Sequence, residues 1–526
     1  MKEFHVTGTC NPKWHYMVDI SDRVERIAKE YIAKGKYFTI NRARQYGKTT
    51  MMFLLRRYLQ EKYIVVSISF EAADELFVSP YALAVGLQRS IGSQLRMQKI
   101  TKDILKKWEA PISKEFAMSD FGERITELCK DCDRKIVLMI DEVDKNSGNQ
   151  VFLGFLGLLR SKYLAQTGGI DATFQSVILA SVYDIKNLKL KIRPNEETKY
   201  NSPWNIAEDF NMDLSFRPKD IAGMLMEYDA DYSIGMDISA VSQWIYDYTS
   251  GYPYMVSRIC KLIDERITGT EEFPKKEDAW TQGGFLEAVR LFLKEPNTLF
   301  DDMVKKLHEY PAIKDMMCNI LFRGIRYSFE IDNPNINIGI MFGFIKEKGN
   351  VVLIANRLYE TKMYNLFLSE AEQDELNHGN SISVNNQFVV HGMLQMRLVM
   401  EKFYEYYEEI FRNCDEKFIE DEGRRIFLMY LRPIINGAGN YYIEAQTRDG
   451  TRTDVIVDYR SQRFIIEMKL WRGDAYNQRG EEQLFEYLGF YGEETGYLLS
   501  FNFNKRKQTG VKEIMLGGKK IVEIVV

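Results

Sequence analysis

The segment Arg42-Ala43-Arg44-Gln45-Tyr46-Gly47-Lys48-Thr49-Thr50 follows a short apolar run, Lys36 to Ile40, and opens a helical pattern that continues to about Glu61. A strand, a tight turn and a helix N-terminus in that order present backbone N–H groups to an anion, and a phosphate is the anion such a turn suits. Each residue type has a task there. Gly47 lets the backbone come close, Lys48 reaches the β- and γ-phosphates, and Thr49 offers a hydroxyl to Mg²⁺. Arg44, Gln45, Tyr46 and Thr50 complete the cradle. The first glycine of G-x-x-x-x-G-K-[ST] is replaced by Arg42, and Gly-Lys-Thr-Thr can start a helix by chance, so the loop alone does not establish a nucleotide site. A second motif does more. Ile136-Val137-Leu138-Met139-Ile140-Asp141-Glu142 is an apolar strand ending in two acids, roughly ninety residues downstream. Asp141 can support the Mg²⁺ shell while Glu142 polarises an attacking water.

A different constellation lies near the C-terminal end. Thr453 to Asp458 reads as a strand and Gln462 to Leu470 as the next, joined by a turn at Arg460-Ser461. Asp454 sits on the first; Glu467 and Lys469 sit two apart on the second and so share one face. Two carboxylates converging from adjacent strands make a hard oxygen site for Mg²⁺ or Mn²⁺. Such a metal polarises a phosphodiester and helps ionise a water, and a neighbouring lysine can orient that water or offset the charge growing on the phosphate.

The elements that must position these groups are legible as patterns. Tyr63 to Phe70, Lys135 to Ile140 and Ser176 to Ala180 are buried strands by their β-branched runs, and Asp22 to Ala33 carries a helical apolar face. Strands alternating with long helices predict an α/β fold, a parallel sheet covered on both faces, over residues 1–216. The pattern turns helical over 217–295, interrupted at Ser250-Gly251-Tyr252-Pro253-Tyr254. Residues 296–370 read as helices followed by a hairpin turning at Gly349-Asn350, the order of a winged helix. A polar stretch, 371–391, reads as a linker, and 392–526 as a second α/β domain.

At this point the sequence resembles known families. NRARQYGKTT and IDEVDK are similar to the prokaryotic AAA-like ATPases in which an R-P-R-R-F-G-K-[ST]-type loop replaces the glycine-rich one; Ala43 stands for the proline and Tyr46 for the phenylalanine. The resemblance covers most of 10–370. It implies that SVILASVYD carries a γ-phosphate sensor, which would be Ser181, that SGYPYMVSRIC opens a helical lid, and that ATP is the cofactor. Asp454, Glu467 and Lys469 resemble the D-x(n)-E-x-K core of PD-(D/E)XK nucleases, although Thr453 stands where the motif's proline would be. That resemblance implies an α/β restriction-endonuclease-like domain, a role for Gln483 on the next helix and an additional acid at Glu422. Together they imply an ATPase coupled to a nuclease acting on nucleic acid, DNA in preference to RNA. The alternative is an ATP-gated nucleic-acid-binding or signalling switch with an inactive nuclease-like domain. AAA-like ATPases often complete their site with a neighbour's arginine, which implies a homo-oligomer; no arginine here is assigned to that task.

Composition narrows the classes further. With 45% apolar and 28% charged residues the 526-residue chain reads as globular. No stretch approaches the ~20 apolar residues of a membrane span, and the start Met1-Lys2-Glu3-Phe4-His5 lacks a signal peptide's apolar run, so no membrane partner and a cytoplasmic location are expected. Six cysteines are too sparse to staple this length; Cys129-x-x-Cys132 lacks the second pair a structural zinc needs. A net charge of −5 argues against general avidity for nucleic acid, while Asn504 to Lys520 forms a basic run able to neutralise phosphates. The 31 Tyr, 31 Phe and 23 Met read as core.

Overall fold

The computed structural model describes residues 2–146, 149–182, 204–323, 325–377, 388–390, 393–411, 420–435, 439–446, 452–460, 462–471, 474–502 and 509–526. The centre of the expected linker and Lys505, Arg506 and Lys507 of the basic run lie outside these residues, as does the side chain of Glu422. The chain divides into two compact units, 1–299 with 330–345, and 300–329 with 346–526. The division runs through 296–370, the stretch that reads as one winged-helix-like domain.

In the first unit, short parallel strands β1 (Glu3–Phe4) and β2 (His15–Tyr16) precede a four-stranded parallel sheet of β3 (Phe38–Asn41), β4 (Ile64–Ser69), β5 (Ile136–Asp141) and β6 (Ser176–Ser181), in the order β3-β6-β5-β4. These strands are buried along nearly their whole length, which is why they read as continuous apolar runs and not as alternating ones. The helices Pro80–Met97, Ala117–Asp131 and Gln150–Thr167 contribute Leu87, Ile91, Ile125, Leu128, Phe155 and Leu159 to the core packed on this sheet. Cys129 lies on one of these helices and Cys132 caps it. The strand order has a functional consequence. The loop after β3 and the acids after β5 are separated by β6 alone, so three strand ends converge at one edge, the usual place for a ligand in an open parallel sheet.

The helices Pro218–Tyr232, Ile238–Thr249, Pro253–Leu262 and Gln282–Lys294 form the helical part of this unit. Its contact with the N-terminal strands is aromatic: Phe4 lies with ring centroids 5.2 Å from Tyr16, 4.9 Å from Tyr228 and 5.9 Å from Trp280. The sequence-based helix Asp22 to Ala33 is an α-helix from Ser21 to Ile27 that widens into a π-turn, Ala28–Ile32.

The hairpin β7 (Ile345–Lys348) and β8 (Val351–Ile354) turns at Gly349 and Asn350, both left-handed at φ 59° and 62°, the conformation a two-residue hairpin turn requires. In the second unit β9 (Val389–Val390) and β10 (Met393–Leu394) pair with each other. Strands β11 (Gly439–Gln446), β12 (Arg452–Tyr459), β13 (Gln462–Leu470), β14 (Thr495–Phe501), β15 (Gly510–Leu516) and β16 (Lys519–Val525) form one mixed sheet, ordered β11-β12-β13-β14-β16-β15. β13, β14 and β16 are parallel; the rest pair antiparallel. The helix Asp474–Tyr491 makes the β13-to-β14 crossover and covers one face with Leu484, Tyr487 and Leu488 on Ile465, Leu498 and Ile521. Phe501 lies on the other, against Gly423 of the Glu420–Ile435 helix and the ring of Tyr407.

Candidate nucleotide and metal sites

In the first unit the turn after β3 reverses through two left-handed residues, Gln45 at φ 55° and Gly47 at φ 80°, before the helix Lys48–Leu59 begins. Arg42 is not among the left-handed residues, so the position does not require glycine. Its guanidinium donates to the carbonyls of Asn41 (2.7 Å) and Met212 (2.5 Å) and lies 5.5 Å from the Phe210 ring. Burial lowers its pKa. This arginine braces the turn from behind and leaves the cradle to the backbone.

Lys48 is buried, and its ammonium donates to the carbonyls of Arg42 (2.8 Å) and Ala43 (2.9 Å). Burial pulls its pKa down, opposed by the negative charges of Asp144, Asp141 and Glu142. Thr49 donates to Asp141 Oδ2 at 3.1 Å, across the sheet edge. The two hard oxygens expected to share Mg²⁺ are thus brought together. Thr50 accepts from the backbone N–H of Cys10, which ties the N-terminal segment to the same helix.

The two acids after β5 diverge. Glu142 sits at φ 57°, its N–H donates to Asp141 Oδ1 at 2.9 Å, and its side chain lines the cleft. Burial, then the charges of Asp144 and Asp141, raise its pKa. Ser181, the expected sensor, ends β6. It is fully buried, and its hydroxyl donates to Asp144 Oδ1 at 2.6 Å. Asp144 itself lines the cleft. The spacing Asp141-Glu142-Val143-Asp144 was the available signal for this third acid, and sequence reasoning assigned only the first two.

Around these groups is a cleft of about 740 Å³ lined by the turn, Glu71, Glu142 and Asp144, the N-terminal residues His5 to Cys10, and Leu214, Phe216, Pro253 and Tyr254. The residues Tyr252 and Pro253, at the helix break, seat directly on the turn. The Tyr252 hydroxyl donates to the Arg44 carbonyl, its ring meets Tyr46 edge-on at 4.6 Å, and Pro253 lies 3.8 Å from where a Cβ on Gly47 would be. Burial pushes the Tyr46 phenol up to about 12. Gln45 donates to Thr298 at 2.9 Å. A volume of this size, a lysine, a paired threonine and aspartate and a turn leading into a helix N-terminus fit a nucleoside triphosphate with Mg²⁺.

Residues 8–364 match the profile of the AAA-like domain. The chain belongs to the AAA-like domain family. Its first unit is accordingly an ATPase-like P-loop core. No curated protein matches the sequence. Among solved structures the chain is similar to a Walker-type ATPase of Pyrococcus abyssi, at 15% identity and a TM-score of 0.45 over 68% of this chain and 99% of that one. It is also similar to the ORC2 protein of Aeropyrum pernix in ADPNP–ADP complexes, at 11% identity and 0.36 over 70% and 97%. A third is the ORC1 protein of Aeropyrum pernix in complex with DNA, at 9% identity and 0.33 over 90% and 94%. The AAA-like match ends at residue 364 and leaves the mixed sheet of the second unit outside it. No described helix is long and apolar enough to cross a membrane.

In that second unit β12 and β13 pair in register from Tyr459↔Gln462 to Val455↔Ile466, and the ladder stops one residue short of Asp454. Asp454 Oδ2 instead accepts from the Met468 N–H at 2.6 Å. Glu467 is fully buried. Its Oε1 lies 2.7 Å from Lys469 Nζ, and its Oε2 3.4 Å from the Asp454 N–H. Burial first, and then the Asp454 charge, hold the Glu467 carboxyl well above the usual range, with Lys469 opposing. The expected trio therefore does converge. Two neighbours were not anticipated. Arg424, buried on the Glu420–Ile435 helix, lies 3.9 Å from Asp454 Oδ1, and a Cβ on Gly480 would stand 3.4 Å from Lys469 Cγ. Gln483 lies one turn beyond Gly480 and donates to Tyr487 of its own helix. Two hard carboxylates at a splayed strand edge fit a divalent cation, in the donor chemistry Mg²⁺ and Mn²⁺ prefer.

Proposed function

We propose that the protein hydrolyses ATP in its first unit and cleaves phosphodiester bonds of nucleic acid, DNA in preference to RNA, in its second. The observation that carries the second half is the convergence of Asp454, Glu467 and Lys469 where β12 and β13 part. Buried carboxylates are costly unless paired or holding a metal, and this pair has a lysine beside it.

In the ATP cleft, Lys48 leaves the carbonyls of Arg42 and Ala43 for the β- and γ-phosphates, while the N–H groups of Gln45 to Thr49 cradle them. Thr49 and Asp141 hold Mg²⁺, directly or through its waters. Glu142 takes the proton of the attacking water, and burial with its acidic neighbours raises its basicity above that of an ordinary carboxylate. In the second unit Asp454 and Glu467 would hold Mg²⁺ or Mn²⁺, which would polarise the phosphodiester and acidify a water. Lys469, released from Glu467, orients that water or faces the phosphate. Gln483 assists from the covering helix. The reading includes a homo-oligomer in which an arginine of a neighbouring copy completes the cleft.

The test is cleavage of linear DNA, circular DNA and RNA with Mg²⁺ or Mn²⁺, with and without ATP, by wild type, Lys48→Ala, Glu467→Gln and Lys469→Met. Cleavage lost in both second-unit variants and dependent on Lys48 supports an ATP-gated nuclease. Binding of nucleic acid without cleavage of any substrate would replace it with the ATP-gated switch.

A further inference from the structure

Ser181, the residue expected to sense phosphate, bonds a third acid of the cleft. Asp144 Oδ1 accepts two donors from the end of β6, the Ser181 hydroxyl at 2.6 Å and the Val182 N–H at 2.5 Å. All of these groups are buried. The bonds join two strand ends across the sheet edge, and they lie two residues beyond Glu142.

Glu142 occupies left-handed backbone, φ 57°, without being glycine. That conformation costs about 1–3 kcal/mol for an L-residue and persists only where the surroundings over-determine it. Here they do so on both sides. Before it, Asp141 belongs to the β5 ladder, accepts from Thr49 and accepts the Glu142 N–H. After it, Val143 is fully buried in the sheet's core, and Asp144 is bonded to β6. The reversal at Glu142 sends Asp141 toward Thr49 and lets Glu142 line the cleft. A carboxylate taking two short hydrogen bonds inside the protein is a strong anchor, and it is the only polar one of the two pins on the far side.

We infer that Asp144 is a positioning residue. Its bonds to Ser181 and Val182 hold the strained backbone at Glu142, and so aim the carboxylate that takes the water's proton. The inference rests on the reading of this cleft as the site of ATP hydrolysis. It gives Ser181 a task at one remove from the nucleotide: it supports the acid that supports the base. Asparagine at 144 can still accept from both donors through its carbonyl oxygen; alanine cannot. The geometry therefore separates the two substitutions, whereas a direct role for the Asp144 charge would not.

The experiment uses the full chain with Mg²⁺ and compares wild type with Asp144→Ala, Asp144→Asn and Ser181→Ala. Turnover is followed by phosphate release, affinity by a fluorescent ATP analogue, and folding by thermal melting. Misplacing a catalytic group by an ångström can lower a rate about 100-fold. Asp144→Ala is expected to lose kcat on about that scale with its affinity for the analogue within about threefold of wild type. Ser181→Ala, which removes one of two donors, is expected to fall between, and Asp144→Asn to recover most of the rate. Equal loss in Asp144→Asn and Asp144→Ala overturns the inference in favour of the charge itself. Unchanged turnover in Asp144→Ala overturns it outright. If Asp144→Ala does not fold, a kcat unchanged in Ser181→Ala, or a loss of about 100-fold in Asp144→Asn, overturns the inference. Wild type that binds the analogue and releases no phosphate refutes hydrolysis itself, and this inference falls with it.

Discussion

Arg42 occupies the first glycine position of the phosphate loop, and replacing it with glycine restores the familiar motif. The structure predicts that Arg42→Gly damages the protein. Two charge-assisted hydrogen bonds would be lost, to the carbonyls of Asn41 and Met212, each worth about 1.5–3 kcal/mol. The stacking on Phe210 adds about 0.5–2 kcal/mol, and glycine frees the unfolded chain by about 0.5–1 kcal/mol more. These terms overlap, and water can reach the partly exposed guanidinium. A loss of about 3 kcal/mol is the working figure, or roughly 4–5 °C in the melting temperature of a unit this large. Nucleotide affinity should fall as well, because the side-chain brace that fixes the turn is lost. Calorimetric melting and titration with a fluorescent ATP analogue, on wild type and Arg42→Gly, test both. An unchanged melting temperature with tighter ATP binding would refute the argument, and would mean that the arginine merely tolerates a place the glycine fits better.

Two further predictions concern the same unit. Gly251 has φ 72°, and a Cβ there would come within 2.0 Å of the Phe216 carbonyl oxygen, so Gly251→Ala should cost at least about 3 kcal/mol by thermal melting; it should also weaken nucleotide binding by unseating Tyr252 and Pro253, and a fully stable, fully binding variant would contradict the packing described. Burial pushes the Asp171 carboxyl up, but Lys162, Thr126 and the Ala172 N–H outweigh it and hold the pKa below the ordinary value. A lowered folded pKa gives stability that is present above the unfolded pKa near about 3.9 and lost as pH falls through the folded value. Asp171→Asn should therefore destabilise at pH 7 by about 3 kcal/mol, leaving the buried Lys162 unpaired, and should narrow its gap from wild type below about pH 4; a gap constant with pH would refute the pairing's role.

Much of the ATP cleft was legible because its parts are local. Buried parallel strands read as apolar runs, and a glycine, lysine and threonine at a helix start mean the same thing in any chain. The hairpin at Gly349-Asn350 was legible for a similar reason, since few residues tolerate two left-handed positions in succession. The trio Asp454, Glu467 and Lys469 was legible from strand alternation. What escaped depends on contacts remote in sequence. Arg42 reads as a defect in a motif until Met212 and Phe210 are brought behind it. The bond between Ser181 and Asp144 joins two strand ends that only the sheet order brings together. Gly480, like Arg424 beside Asp454, lies in a helix where nothing local marks it. The division into two units was least legible, because residues 330–345 join the first unit after thirty residues that belong to the second.

That interleaving bears on the order in which the protein can be made. A ribosome releases the chain from its N-terminal end, and domains generally fold as they emerge. The first unit lacks its last segment until residue 345 is out, and by then residues 300–329 have already emerged. Met303, Leu307, Ile313 and Met317, buried in the finished protein, must wait through nearly two hundred further residues for the unit they belong to. During that interval they form an apolar stretch held between a nearly finished unit and an unmade one. The synthesis of the second unit, after residue 345 has emerged, is then the interval in which this chain is most prone to aggregate, and in which a chaperone would have most to hold.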